Sequence, residues 1–154
     1  MLLTSSDTQK IGRAGELLTQ YKLLKFGVDT ALLTTDSGID LVAFAPGGKY
    51  PVTIQVKANL APKKGGGKGK PALDWWVKRK PPVDLFAFVD LSSDNVWLFK
   101  YEEMDEIAQQ KPDDLWMHFY MYTDPTVQTR TGKNSVSHQF ASYLLENRVH
   151  ELFY

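Results

Sequence analysis

"TIQVKAN", Thr53 to Asn59, reads as a buried strand that two polar residues interrupt. Side chains alternate at a period of two along an extended chain, so Ile54 and Val56 share one face, and Gln55 and Lys57 share the other. An amide and an ammonium are costly to bury without partners. One face of this strand is therefore expected in a core, and the other against something polar.

Two further strand candidates precede it, "VDTALLT" from Val28 and "IDLVAFA" from Ile39, with the central one beginning at Pro51. Turn-like pieces separate them, "TDSG" (Thr35 to Gly38) and "PGGK" (Pro46 to Lys49). Upstream, Ile11, Ala14, Leu17, Leu18, Tyr21 and Leu24 recur at three- and four-residue steps. They predict a helix from about Thr8 to Phe26 with that stripe inward and Gly27 as its stop.

Downstream, "LAPKKGGGKGKPALDWW" has a Gly/Lys/Pro composition that predicts a mobile basic loop. "VDLFAFVDL" (Val83 to Leu91), the turn "SSDN" and "VWLFK" (Val96 to Lys100) predict a strand pair. A short helix is expected near Glu102, and a strand at Leu115 to Tyr122. A closing helix would carry Phe140, Leu144, Leu145, Val149 and Leu152 on one face. The order predicts one α/β (α+β) domain over residues 1–154.

The 154 residues carry no net charge, but the charge is unevenly placed. Lys57, Lys63, Lys64, Lys68, Lys70, Lys78, Arg79 and Lys80 face a single acid, Asp74, in that stretch, which leaves ten basic and seventeen acidic side chains elsewhere. A basic segment on an acidic body points to a polyanion on one side of the molecule. No apolar stretch approaches the ~20 residues of a membrane span. Cysteine is absent, and "MLLTSSDTQK" lacks the basic-then-apolar order of a secretion signal, so a cytoplasmic protein is expected.

Three polar features stand in order: Glu16 in "GRAGELL", Asp40 in "SGIDLVAF", and the Gln55/Lys57 pair. A hairpin through "PGGK" brings Asp40 towards the Gln55/Lys57 side. Phosphodiester cleavage needs such a set. A carboxylate and a second oxygen hold a hard cation such as Mg²⁺, and a lysine orients water or stabilises the transition state.

"GELL…GIDLVAF…TIQVKAN" resembles the PD-(D/E)XK nuclease superfamily over roughly Gly12 to Asn59. The likeness is greatest to the compact group that includes a group I intron homing endonuclease and archaeal Holliday junction resolvases. The resemblance implies a restriction-endonuclease-like core with a mixed central β-sheet flanked by helices. It also implies a Mg²⁺-dependent DNA endonuclease, with Mn²⁺ as substitute, that works as a homo-oligomer. Asp40 would be the motif aspartate, Lys57 the motif lysine and Glu16 the helix acid. Gln55 stands where the motif usually has an acid, and Asp40, Gln55 and the Val56 carbonyl would hold the metal. Lys63, Lys64, Lys68, Lys70, Lys78, Arg79 and Lys80 would bind DNA.

Each feature also has a plainer use. Lys57 alone reads as a strand-end lysine reaching solvent, Asp40 as a strand-entry residue, and Glu16 as a solvated acid. The run from Lys63 to Lys70 suits a solubilising loop as well as a phosphate clamp. Trp75 and Trp76 stack on bases or pack in a core or interface, with packing favoured. Asp36 and Ser37 stand close enough to Asp40 to help shape the site, with the turn role favoured for Asp36, and Arg130 and Lys133 suit a DNA contact or a solvated loop. His118, His138 and His150 show no ligand spacing. A non-catalytic module on the same fold is the alternative reading that Gln55 motivates.

Overall fold

A computed structural model describes residues 2–35, 37–48, 50–65, 69–128 and 132–154. Asp36, Lys68 and Arg130, named above, lie outside the described residues.

Helix α1 (Thr8–Lys25) leads into the meander β1 (Asp29–Leu32), β2 (Leu41–Phe44) and β3 (Val52–Asn59). β4 (Lys63–Lys64) and β5 (Pro71–Lys78) follow, then β6 (Leu85–Asp90), β7 (Asn95–Lys100) and α2 (Tyr101–Ile107). β8 (Trp116–Tyr122), a 3₁₀ segment (Ser137–Tyr143) and α3 (Leu145–Phe153) close the chain. Five strands form a sheet in the order β1-β2-β3-β6-β7, antiparallel except for the β3–β6 pair. This is the expected mixed sheet flanked by helices. No helix of the described residues is long and apolar enough to cross a membrane.

Two cores lie on opposite faces of this sheet. Ile54, Val56, Ala87 and Val89 pack with Leu23 of α1 and Leu145, Val149 and Phe153 of α3. On the other face Phe86, Phe88 and Phe99 pack against Leu73, Trp75, Val77, Met117 and Phe119 of a second, three-stranded sheet ordered β4-β5-β8. β6 is covered on both sides and buried at every position, which is why it reads as an unbroken apolar run.

The inward face of α1 differs from the expected stripe. Ile11, Gly15, Thr19 and Leu23 are the buried row, while Leu17, Tyr21 and Leu24 stand 48%, 58% and 57% exposed. The helix descends onto β3 at a glycine: a Cβ on Gly15 would fall 2.6 Å from the Ala58 Cβ and 3.5 Å from Val56 Cγ1. Thr19 is tolerated in the contact because its hydroxyl donates to the Gly15 carbonyl at 2.8 Å. Gly15→Val is therefore expected to destabilise the chain by about 1–3 kcal/mol through overpacking. Gly12→Ala meets nothing within 4 Å and should stabilise the helix by roughly 0.5–1 kcal/mol. Urea unfolding of the two variants reads both signs.

The expected basic loop also needs correction. Its second half is β5, paired with β8 from Ala72↔Tyr122 to Lys78↔Trp116. Leu73, Trp75 and Val77 alternate inward, a period-two signal hidden behind the adjoining Lys/Gly run. The expected closing helix is broken at Leu144, whose φ of −54° and ψ of 138° are extended. Leu144 pairs there with Trp97 of β7, so only Phe140, Leu145 and Val149 of the expected face are fully buried.

Candidate functional site

The site begins where β2 and β3 part. Their last register pair at this end is Leu41↔Ile54, so Asp40 lies opposite Gln55. The backbone fixes it: Asp40 donates to the Ile54 carbonyl at 2.9 Å, and Leu33 donates to the Asp40 carbonyl at 2.9 Å. Asp40 Oδ2 then accepts the Val56 N–H at 2.7 Å, so a side chain continues the ladder beyond the strand's end. Main-chain groups two apart on a strand point the same way. The Val56 carbonyl thus points, like that of Ile54, towards the side β2 has just left.

Gln55 and Lys57 share the face of β3 that carries Phe86 and Phe88 on the neighbouring strand. They are half-buried and line a cavity of about 350 Å³ with Ser37, Gly38, Lys78 and Trp116. Gly38 turns the chain over Gln55 with φ of +80°, a conformation that favours glycine. Among the described residues no acidic side chain lines this cavity, and its two ammonium groups and amide suit an anion. Lys57 also lines a second groove of about 350 Å³ with Lys63, Asp74 and Trp76.

The other expected residues are distributed as follows. Glu16 pairs with Arg13 at 2.8 Å and lines neither cavity, on a helix that packs against the Val56/Ala58 face of β3. Lys63 and Lys64 are exposed on β4, and Lys70 is exposed just before β5. Lys78 Nζ lies 6.0 Å from the Trp116 ring centroid. Arg79 is engaged by the Asp113 carbonyl at 3.2 Å, Asp105 at 3.5 Å and Asp114 at 3.9 Å. Lys80 occupies a positive-φ turn at 53°. Lys133 donates to the Glu106 and Ala108 carbonyls at the end of α2.

The tryptophan pair divides. Trp75 is 3% exposed and stacks on Phe88 at 4.8 Å, while Trp76 is 44% exposed. Ser37 lines the cavity as its closeness to Asp40 suggests, while sequence reasoning missed Trp116. The alternation in "WMHFYMY" was the available signal for Trp116, since it places every second residue outward.

The Asp40 carboxylate, the Gln55 amide and the Val56 carbonyl are oxygens of the kinds that a hard cation such as Mg²⁺ takes. Of these three oxygen donors, only that of Asp40 is charged. Among the described residues no group of three or more His, Asp or Glu side chains could hold a metal.

No protein-family model matches the sequence, and no curated protein matches it. Among solved structures the chain is similar to the bacterial homing endonuclease I-Ssp6803I, with a TM-score of 0.59 and 15% identity over 96% of this chain and 93% of that one. The likeness is one of fold. A second similar structure is Hjc, a Holliday junction resolvase from the archaeal hyperthermophile Archaeoglobus fulgidus, with a TM-score of 0.47 and 12% identity over 70% of this chain and 82% of that one. Asp40 stands just before β2, and Gln55 and Lys57 lie on β3, beside the parallel neighbour β6. At such identities the likeness speaks for the fold, and chemistry must be argued from the side chains.

Proposed function

We propose that the chain is a Mg²⁺-dependent endonuclease that hydrolyses phosphodiester bonds in DNA. The observation that carries this reading is the meeting of Asp40 with Gln55 at the parting of β2 and β3, with Lys57 next on the same face. A divalent cation held by Asp40, Gln55 and the Val56 carbonyl would supply Lewis acidity to the phosphodiester and acidify a water. The chain's own groups do the rest. The Lys57 ammonium donates to the charge that develops on the phosphoryl oxygens, and Lys78 across the cavity holds a flanking phosphate. The bond from the Val56 N–H helps fix the Asp40 carboxylate. Glu16, held by Arg13, is assigned no step.

The second reading, a nucleic-acid-binding module without catalysis, is favoured by one specific feature: the neutral Gln55 where an acid would strengthen a cation site. Gln55→Glu separates the two. Under the catalytic reading, the added carboxylate raises Mn²⁺ affinity by roughly tenfold in calorimetric titration, and Asp40→Asn removes the uptake. Asp40→Asn keeps an oxygen for the Val56 N–H, so its fold should persist. If neither the parent chain nor Gln55→Glu binds Mn²⁺ in an Asp40-dependent way, the catalytic reading fails and the binding module stands.

A further inference from the structure

The outer face of the second sheet carries an aromatic row that its fold does not need. Met117, Phe119 and Met121 of β8 fill the core, which puts Trp116, His118, Tyr120 and Tyr122 on the other side. Across from them on β5 stand Lys78, Trp76, Asp74 and Ala72 in register. Trp76 stacks on His118 at 4.3 Å and 7°, and the Tyr120 ring lies 5.6 Å from His118 and 5.5 Å from Tyr122. The outward face of an antiparallel sheet is ordinarily polar, so an aromatic row at every second position asks for a ligand.

A cavity of about 570 Å³ opens on this row. His118, Tyr120 and Tyr122 line it together with Lys63 and Lys64 of β4. Its one acid among the described residues is already engaged. Asp74 Oδ2 is 3.0 Å from His118 Nε2, and His118 Nδ1 is 3.1 Å from Gln110 Oε1. A negative charge entering the cavity thus meets two ammonium groups and a carboxylate that has its own partner. The volume lies within the range of small-ligand sites.

We infer that this face takes unpaired nucleotides of the nucleic acid on which the neighbouring site acts, with bases on Tyr120 and Tyr122 and phosphates on Lys63 and Lys64. Only an unpaired base offers its flat face to an aromatic side chain, because pairing hides it in the duplex stack. The surface is continuous with the candidate active site. Lys63 and Asp74 line both this cavity and the groove containing Lys57, and at the other end of the row Lys78 and Trp116 line the cavity of Gln55 and Lys57. The inference rests on the proposed function for what lies at the end of the row. The substrate class it adds is DNA with a bulge, a branch or a single-stranded tail.

The test is equilibrium binding in EDTA, read by fluorescence anisotropy, which needs no cleavage. Labelled duplexes of one length are compared, fully paired and with two unpaired thymidines. The bulged duplex should bind about tenfold more tightly than the paired one. Tyr120→Leu with Tyr122→Leu should remove that difference and leave paired binding unchanged, while Tyr120→Phe keeps it. Lys63→Gln with Lys64→Gln changes only exposed side chains of β4, so it tests the same face without threatening the core. It should weaken bulged binding and lower its salt dependence by roughly two charges. Equal affinity of the parent chain for both duplexes, absence of binding, loss of both affinities in the tyrosine variant, or an unaffected lysine variant would each overturn the inference. Failure of the nuclease reading shows separately, as absence of metal-dependent cleavage in a chain that still prefers the bulged duplex.

Discussion

Lys57→Met is expected to lower phosphodiester cleavage by on the order of a hundred- to a thousandfold, the usual loss for one donor aimed at developing charge. The urea midpoint should stay where it is. Lys57 is half-buried and makes no ion pair among the described residues, so the fold does not depend on its charge. Methionine keeps the aliphatic stem that leans along the strand while removing the ammonium at its end. The loss should appear in kcat with KM little changed, because the lysine is asked to act on charge that exists only in the transition state. Lys57→Arg should not restore the rate, since a planar fork replaces a compact point charge. A Lys57→Met chain that cuts within twofold of the parent rate would remove Lys57 from the site.

The face assignment of that lysine was legible in seven letters. A strand with β-branched residues on one side and an amide and ammonium on the other has few consistent placements, and the "PGGK" turn set its register with Asp40. Other parts were hidden for definite reasons. The α1 contact runs through Gly15 and Thr19, which carry no hydrophobic signal, so periodicity pointed to Leu17, Tyr21 and Leu24 instead. β5 was masked by the composition of the segment before it, and with it went the second sheet and the aromatic face. Of the candidate site, residue types and spacing pointed to Asp40, Gln55 and Lys57, and nearness to Asp40 pointed to Ser37. Trp116 comes from a segment whose approach only tertiary packing determines. Arg148 was missed altogether, since a long charged side chain in "LENRVHELF" reads as solvated surface.

Arg148→Met is expected to destabilise the chain by about 3–5 kcal/mol, the range for removing one partner of a buried ion pair. Arg148 is 3% exposed and meets Glu103 through two parallel bonds, Nη1 to Oε2 at 2.6 Å and Nη2 to Oε1 at 2.7 Å. It also donates to the Leu98 carbonyl at 3.1 Å and lies 5.0 Å from the Tyr143 ring centroid. Glu103 in turn accepts the Lys100 N–H at 2.8 Å, so the pair ties α3 to the junction of β7 and α2. Methionine fills much of the volume but leaves a carboxylate without its counter-charge and a strand carbonyl without a donor. The double variant Arg148→Met/Glu103→Gln leaves no stranded charge and should recover a large part of the loss. Acid titration gives an independent reading. Burial alone would raise the Glu103 pKa, but the bonds from Arg148 and the Lys100 N–H outweigh it and hold it below its ordinary 4.5. A depressed carboxylate contributes stability above its unfolded pKa and loses it as pH falls through the folded value. Between pH 7 and 3 the parent chain should therefore lose stability below about 4.5 more steeply than the double variant. Parallel acid limbs in urea unfolding, or a double variant as unstable as Arg148→Met, would mean that the pair does not hold α3 in place.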